Sequence, residues 1–600
     1  MKFLSNQSRG FVRAAGTFFL LAILSSSVRG TIRYEVSLAH PEQHLFHVTM
    51  TIPDVSGEVL VQMPAWNALY QIRDFSSHIQ QVEAFTGPQK LSVEKLDKQT
   101  WHIKAQGTIA VRYAIYWDEP GPFATQLNSE HAFINPAMIL LYVLDRRTEN
   151  TQLMMPDVPQ NWQVESASLL ANAEYGRSRN FVFQAPNYDA LADAPIEAGK
   201  FKEFKVPGIA PEIHVVVHGE NWKQKNIEDE LHRICRYELK LMEGAPFERY
   251  IFVLHFGPGA GGGGMEHANS TAISVPADEY LAGVAAHEFF HLWNVKRIRP
   301  ASLEPVDYTK EQYTRALWFA EGVTSTYGSY TLVRSGIWSK QQFYQDLGGQ
   351  ISELEERPAN RWKSAEESSL DAWLEKYPQY NGPDYSISYY TKGQVLGVLL
   401  DILIRDRTNN SKSLDDVLRG LNNESARQGK PYRDSLDIRL MAEKISGSSF
   451  EEFFEKYVAA AELFPYAQIL PLAGLTLRTI EQKRAALGFR AERDASGLLV
   501  VKEIDPDDAA AQSGLRIGDV VVGWNNGDPP RRIERWLREQ KPGDTLRLRV
   551  RRDGSETSVQ FRLGEMIETL YQVTEDSQAN EKARRIRDGL LHGTTSGDSR

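Results

Sequence analysis

Six hundred residues are too many for one hydrophobic core, so the chain divides into three or four domains. Its 42% hydrophobic, 24% charged and 10% aromatic residues are those of an ordinary soluble globular protein. The formal net charge of -10 shows no basic excess of the kind nucleic acid selects, and a single cysteine, Cys235, excludes an intramolecular disulfide.

Lys2, Arg9 and Arg13 precede an apolar run from Ala14 to Leu24, followed by Ser25, Ser26, Ser27 and Val28-Arg29-Gly30. The run is too short to cross a bilayer, so residues 1–30 read as a secretory signal peptide and the protein as exported, periplasmic or secreted. A short buried helix is the other reading, and an uncleaved signal would anchor the chain.

From 31 to 205 the pattern has period two. Phe46, Val48, Met50 and Ile52 alternate with polar residues, as do Ile109, Val111, Tyr113 and Ile115. Turn residues at Pro53-Asp54 and Gly87-Pro88 break the runs, and the whole predicts an antiparallel β-sandwich. From 206 to 471 the pattern changes. Strands are expected at 213–217 and 251–256 with a helix between them, where Cys235 reads as a small core residue. Helices follow at 278–295, 311–333, 340–356, 388–405 and 450–461, giving a bilobal, mainly helical catalytic domain with a cleft. Short strands return between 472 and 570, where Leu546, Leu548 and Val550 lead to the hairpin turn Asp553-Gly554 and to Val559, Phe561 and Leu563. Residues 571–600 read as a polar tail, with a helix at 581–591 and a disordered tip. The fold class is multidomain α+β.

His287-Glu288-Phe289-Phe290-His291 carries two histidines four apart, on one helical face, where both imidazoles reach one metal. Hydrolytic zinc takes three protein ligands and leaves a position for water. Glu288 is the candidate base for that water. Its flanks are apolar, so the polar groups need partners. Glu321 in Trp318-Phe319-Ala320-Glu321-Gly322 is the expected third ligand of one Zn2+ per chain, because a metal compensates a carboxylate buried in an apolar helix. A salt bridge to Arg315 or Lys296 is its alternative. Ser325, one turn further on, is placed either to hydrogen-bond a ligand or to pack. The run Gly259-Ala260-Gly261-Gly262-Gly263-Gly264 lets backbone approach a ligand closely, or is simply a turn; no Lys-Ser/Thr follows to make it a phosphate loop.

H-E-F-F-H-L-W-N-V-K-R-I-R-P followed by W-F-A-E-G resembles the glycyl aminopeptidases of the gluzincin class, relatives of aminopeptidase N that often carry a PDZ domain. The resemblance covers nearly the whole chain after residue 30 and implies a thermolysin-like catalytic domain. Met63-Pro64-Ala65-Trp66 and Asp74-Phe75 fit it. Asn67-Ala68-Leu69-Tyr70 departs from it where relatives have a Pro-Gly turn. Gly263-Gly264-Met265-Glu266 is similar to the substrate strand of aminopeptidase N, with His267 in place of Asn; the likeness implies that Glu266 holds the free α-amine. Tyr390-Thr391-Lys392-Gly393 resembles a motif whose Tyr donates to the oxyanion, which implies that role for Tyr390, or for Tyr389 if the register slips. Asp193-Ala194-Pro195-Ile196-Glu197 resembles a linker stretch of relatives, with Glu197 either a second amine-binding acid or a solvated one.

Leu487-Gly488-Phe489, Ala510, Gly514-Leu515 and Gly518-Asp519-Val520-Val521 resemble a PDZ domain. That implies a groove for a peptide or protein C-terminus, or a domain that only docks on its neighbour. The expected function is a zinc aminopeptidase acting on peptides with free N-termini, with a preference for Gly or Ala implied by the resemblance. The alternatives are a PDZ-guided zinc endopeptidase and a PDZ scaffold with an inactive peptidase half.

Overall fold

The computed structural model describes residues 30–596 apart from 68–69, 167–169, 176–178, 258–261, 376–381, 383, 495 and 531. The expected signal segment and the first glycines of the Gly-rich run lie outside the described residues. The protein has an N-terminal β-rich domain, a central helical domain and a C-terminal PDZ-like β domain. No helix among the described residues is long and apolar enough to cross a membrane.

The period-two residues of the first domain point inward: Phe46, Val48, Met50, Ile52, Ile109, Val111, Tyr113 and Ile115 are all buried. They lie on two long antiparallel partners, Leu45–Gln62 and Thr100–Tyr116, within a ten-stranded sheet. The break expected at Pro53-Asp54 is a bulge instead. The register shifts between Ile52 and Val55 and the strand continues, because a missing proline N–H costs one ladder bond without ending the pairing. Beneath this sheet an irregular stretch, 139–141, is buried, and its carbonyls need donors. Tyr113, Tyr34 and Tyr188 supply them, donating to Ile139, Leu141 and Leu140, each at 2.8 Å.

A four-stranded sheet forms the layer between the domains. Its strands His131–Ile134 and Ile196–Gly199 are buried on both faces. Ala132, Ile134, Ile196 and Ala198 face the N-terminal core. Phe133 faces the other way, onto Val216, Ile251, Val253 and Ala272 of the next domain.

That domain begins with a five-stranded sheet. Ile213–Gly219, Tyr250–Phe256 and Ser270–Val275 run parallel, with Gln224–Leu241 as the helix between the first two; Cys235 is buried in the core there. Gly263–Glu266 is the outermost strand and, among the described residues, pairs antiparallel with Ser270–Val275 alone. The helices expected at 340–356 and 388–405 form as Lys340–Glu356 and Tyr389–Arg407, each capped by a serine, Ser339 and Ser388. Two expected helices are shorter. The first is Leu281–Phe290, after a 3-10 turn at Asp278–Tyr280, and ends where Trp293 and Asn294 turn the chain inward. The second begins only at Trp318 as a π-helical turn, Trp318–Val323, followed by Thr324–Arg334.

The PDZ-like domain is carried on an antiparallel ribbon, Leu475–Ala486 with Gly564–Glu575. The foot of the ribbon is part of the central domain's core, where Leu475 and Val573 are buried. Gly348 permits this docking, since a Cβ there would sit 2.6 Å from the Tyr571 carbonyl. The stretch from 571 is therefore not a loose polar tail. The ribbon reaches Glu575, and the helix Glu581–His592 buries Ile586, Leu590 and Leu591 in the central domain's core. The Leu590 carbonyl accepts from Arg334 and the Thr594 carbonyl from Arg405, both buried guanidiniums. The sequence hides this because those three apolar residues sit among eight charged ones between 575 and 588.

Deletion of residues 577–600 removes three buried aliphatic side chains worth ~1.5–3 kcal/mol each and two buried acceptors. Thermal unfolding of the truncated chain should shift down by many degrees, with the PDZ-like domain unaffected.

Candidate active site

Helix Leu281–Phe290 presents His287, and His291 follows as its C-cap at φ −58° and ψ −19°, so it stays on the same face. The two Nε2 atoms are 3.0 Å apart. Glu321 Oε2 lies 3.5 Å from His287 Nε2 and 3.2 Å from His291 Nε2. The π-helical turn that holds Glu321 adds a residue to the helix and re-aims its side chain. Asn294 ties the two segments together, donating to the Phe319 carbonyl at 2.9 Å and to Thr324 Oγ1 at 3.1 Å.

The second nitrogen of each imidazole is already engaged. His291 Nδ1 donates to the Asn294 carbonyl at 2.6 Å. Ser325 Oγ spends its proton on the Glu321 carbonyl at 3.1 Å and so accepts from His287 Nδ1 at 3.3 Å. Both Nε2 lone pairs thus face one point, together with a carboxylate oxygen, which is a donor set of N, N and O for a cation. The field there has the matching sign. Burial lowers the His291 pKa, but Glu321, with Glu266 and Glu288, outweighs it and lifts the imidazole to about 10. Burial raises Glu321, and His291 with His287 outweighs that and holds it well below the usual carboxylate range. The residues fit a zinc ion.

Glu288 points into the same cavity. Burial, with Glu266 and Glu321 nearby, raises its carboxyl to about 8 against the opposing pull of His291, and its Oε2 has no hydrogen-bond partner. The edge strand Gly263–Glu266 passes directly over it. A Cβ on Gly264 would lie 2.4 Å from Glu288 Cγ, so only glycine lets the strand approach. Gly263 has φ +102° and packs under the ring of Phe123. The Met265 side chain is buried, and Glu266 faces the cavity, with ligand atoms of Glu266, Glu288 and His291 all within 4.8 Å of one another.

Tyr390 lines the cavity with its ring 6.0 Å from that of His287, whereas Tyr389 is packed away beside Leu317 and Ala372. Their helix can reach the site because Gly393 and Gly322 meet backbone to backbone; a Cβ on Gly393 would lie 2.1 Å from the Trp318 carbonyl. His267 is buried and donates to Asp193, which also holds Lys296 at 2.9 Å. Lys296 is thereby taken by Asp193 rather than Glu321.

Glu197 is neither an amine-binding acid nor a solvated one: it is fully buried, between His131 and His255, away from this cavity. Two wall residues that the motifs did not supply come from the N-terminal domain, Tyr70 and Phe123. The loop departure at 67–70 marks the first; nothing in the sequence marks the second. The resulting cavity is small, about 60 Å³.

In the PDZ-like domain Gly488 has φ +70°, and a Cβ there would strike Asp508 at 2.2 Å. Leu487 and Phe489 are buried in that domain's core. Phe489 opens strand Phe489–Arg493, which pairs on one side only among the described residues.

Comparison with known proteins agrees with this architecture. Residues 280–396 match the M61 glycyl aminopeptidase family, 33–200 the M61 N-terminal domain and 485–563 a PDZ domain. The chain thus carries domains that match those of the M61 glycyl aminopeptidases, which supports a peptidase. The aminopeptidase N family protein from Idiomarina loihiensis is similar in structure, with a TM-score of 0.80 at 25% identity, over 94% of this chain and 100% of that one. An M1 zinc metallopeptidase from Deinococcus radiodurans matches more loosely, with a TM-score of 0.46 at 14% identity, over 73% and 95% of the two chains. The search of curated proteins finds no match.

Gly264→Ala should leave the fold and melting temperature nearly unchanged while displacing the Glu288 side chain. A crystal structure of the variant reads the displacement, and peptidase turnover should fall by at least about tenfold, one order being 1.4 kcal/mol of barrier.

Proposed function

We propose that the protein is a zinc aminopeptidase that removes a small N-terminal residue, glycine or alanine, from peptides. The observation that carries this reading is Glu266. It ends the edge strand with its carboxylate beside Glu288 and His291. An acid so placed suits a free α-ammonium and is costly to leave beside a continuing chain.

His287, His291 and Glu321 would hold the zinc. Zinc in such a site supplies Lewis acidity, polarising the scissile carbonyl and lowering the pKa of its water. The peptide adds as a strand to Gly263–Glu266, whose outer edge is open among the described residues, so its backbone is fixed by ladder hydrogen bonds. Glu266 holds the amine. Glu288 takes a proton from the attacking water and passes it to the leaving amine. The Tyr390 hydroxyl donates to the oxyanion. Tyr70 and Phe123 close the cavity, and its volume of about 60 Å³ supports a preference for the smallest side chains.

Two further readings accompany this one. The edge strand Phe489–Arg493 and the glycine turn at Gly488 support binding of a peptide C-terminus in the PDZ-like domain. The basic, then apolar, then small-residue order of residues 1–30 supports export; cell fractionation that leaves the protein in the cytoplasm would contradict it.

Zinc content should fall by about one ion per chain in Glu321→Ala, as three-ligand zinc requires all three groups. Glu288→Gln should keep its zinc and lose ~10²–10⁴ in kcat on glycine and alanine anilides, the range of a general base. Cleavage of N-acetylated peptides as fast as their free-amine counterparts would instead indicate an endopeptidase.

A further inference from the structure

The seam between the N-terminal and catalytic domains contains a second convergence of ligand atoms. Glu197 and His131 share one face of the middle sheet: Glu197 stands opposite Phe133, and His131 stands opposite Gly199. A Cβ on Gly199 would lie 2.7 Å from that of His131, so glycine clears the space that the imidazole occupies. The facing sheet supplies His255 and His218, which are register neighbours on adjacent parallel strands. His131 Nδ1 lies 3.1 Å from Glu197 Oε1, and His255 Nε2 lies 3.0 Å from Glu197 Oε2. All three residues are buried, Glu197 completely.

We propose that His131, Glu197 and His255 form a second metal site, for zinc or a similar divalent transition ion, which clamps the two domains together. The donor set again is N, N and O, with ligand atoms all within 4.8 Å of one another. His218 stacks on His131 at 4.0 Å, and its Nδ1 is buried without a hydrogen-bond partner. The outer contacts suit ligation as well. His131 Nε2 donates to Gln126 Oε1 at 3.1 Å, and Gln126 is held by Asp118 at 2.9 Å, which fixes the ring with Nδ1 aimed at Glu197. Both oxygens of the carboxylate meet imidazole nitrogens, Oε1 that of His131 and Oε2 that of His255. A cleft of about 290 Å³, walled by Pro120, Gly121, Asn128 and Phe256, gives the ion a path in.

The site is separate from the catalytic one yet joined to it through the sheet. His255 aligns with Ser274, and Ser274 with Gly263 of the edge strand, two strand spacings or about 10 Å away. An ion that fixes this row also fixes the strand that faces the cavity.

The test uses the full-length Glu321→Ala chain, so that the outcome does not depend on the catalytic site. After dialysis against zinc and removal of the excess, this chain should retain about one zinc per molecule, the stoichiometry of a three-ligand site. Glu197→Gln added to it, a nearly isosteric change, should abolish that retention, as should His255→Gln. Because a seam variant could fail to fold, Glu321→Ala itself is also titrated with zinc alone. Its melting temperature should rise and saturate at one equivalent. Glu321→Ala chains that are folded and retain no zinc, or retain an ion that Glu197→Gln leaves in place, would overturn the proposal. A melting temperature indifferent to zinc would do the same.

Discussion

Glu321 projects from a turn whose neighbours Trp318, Phe319, Ala320, Gly322 and Val323 are all buried. A carboxylate taken out of water there is tolerable only if positive charge answers it. The two imidazoles do so in part, and their remaining lone pairs leave room for a cation. The same constraint recurs elsewhere. Asp193 is answered by Lys296 and His267, Glu197 by two histidines, and Asp401 and Asp415 by Arg334 and Arg405. Apart from Arg405 with Asp401, which are four apart on one helix, the paired groups come from segments distant in sequence and fasten two parts of the fold.

These fastenings explain how three layers of sheet act as one support. The middle sheet is buried on both faces and alternates apolar residues toward the N-terminal core with Phe133, His131 and Glu197 toward the catalytic sheet. Asp193 then accepts from the Ala268 backbone at 3.0 Å, directly after the strand that faces the cavity. The N-terminal domain therefore does more than cover the peptidase. It contributes Tyr70 and Phe123 to the cavity wall and holds the far end of the edge strand in place. Close glycine contacts set the remaining distances, with Gly264 over Glu288 and Gly393 against Gly322.

Local chemistry was readable in the sequence, and long-range pairing was not. His287, Glu288, His291 and Glu321 stood out because helical spacing and apolar flanks are properties of a short segment. Period two located the long strands, although Pro53-Asp54 became a bulge because the sheet on either side outweighed one lost hydrogen bond. The helix from 311 was expected too early: 311–316 has the composition of a helix but lies in a loop held by Gln312 and Thr314 side chains. Glu197 looked like a linker acid, since nothing near it in sequence reveals His131 and His255, 66 and 58 residues away. The closing helix was hidden by its charges for a similar reason: its few apolar residues matter only once the core that receives them is known.

The proposed aminopeptidase activity requires that the cavity receive the N-terminus of a peptide. The most direct measurement is a crystal structure of zinc-loaded Glu288→Gln protein with a tripeptide beginning in glycine or alanine. The α-amine should lie within hydrogen-bond distance of Glu266, with the peptide backbone paired along Gly263–Glu266. A peptide running past Glu266 with residues on both sides of the cavity, or bound with its carboxylate there, would contradict it.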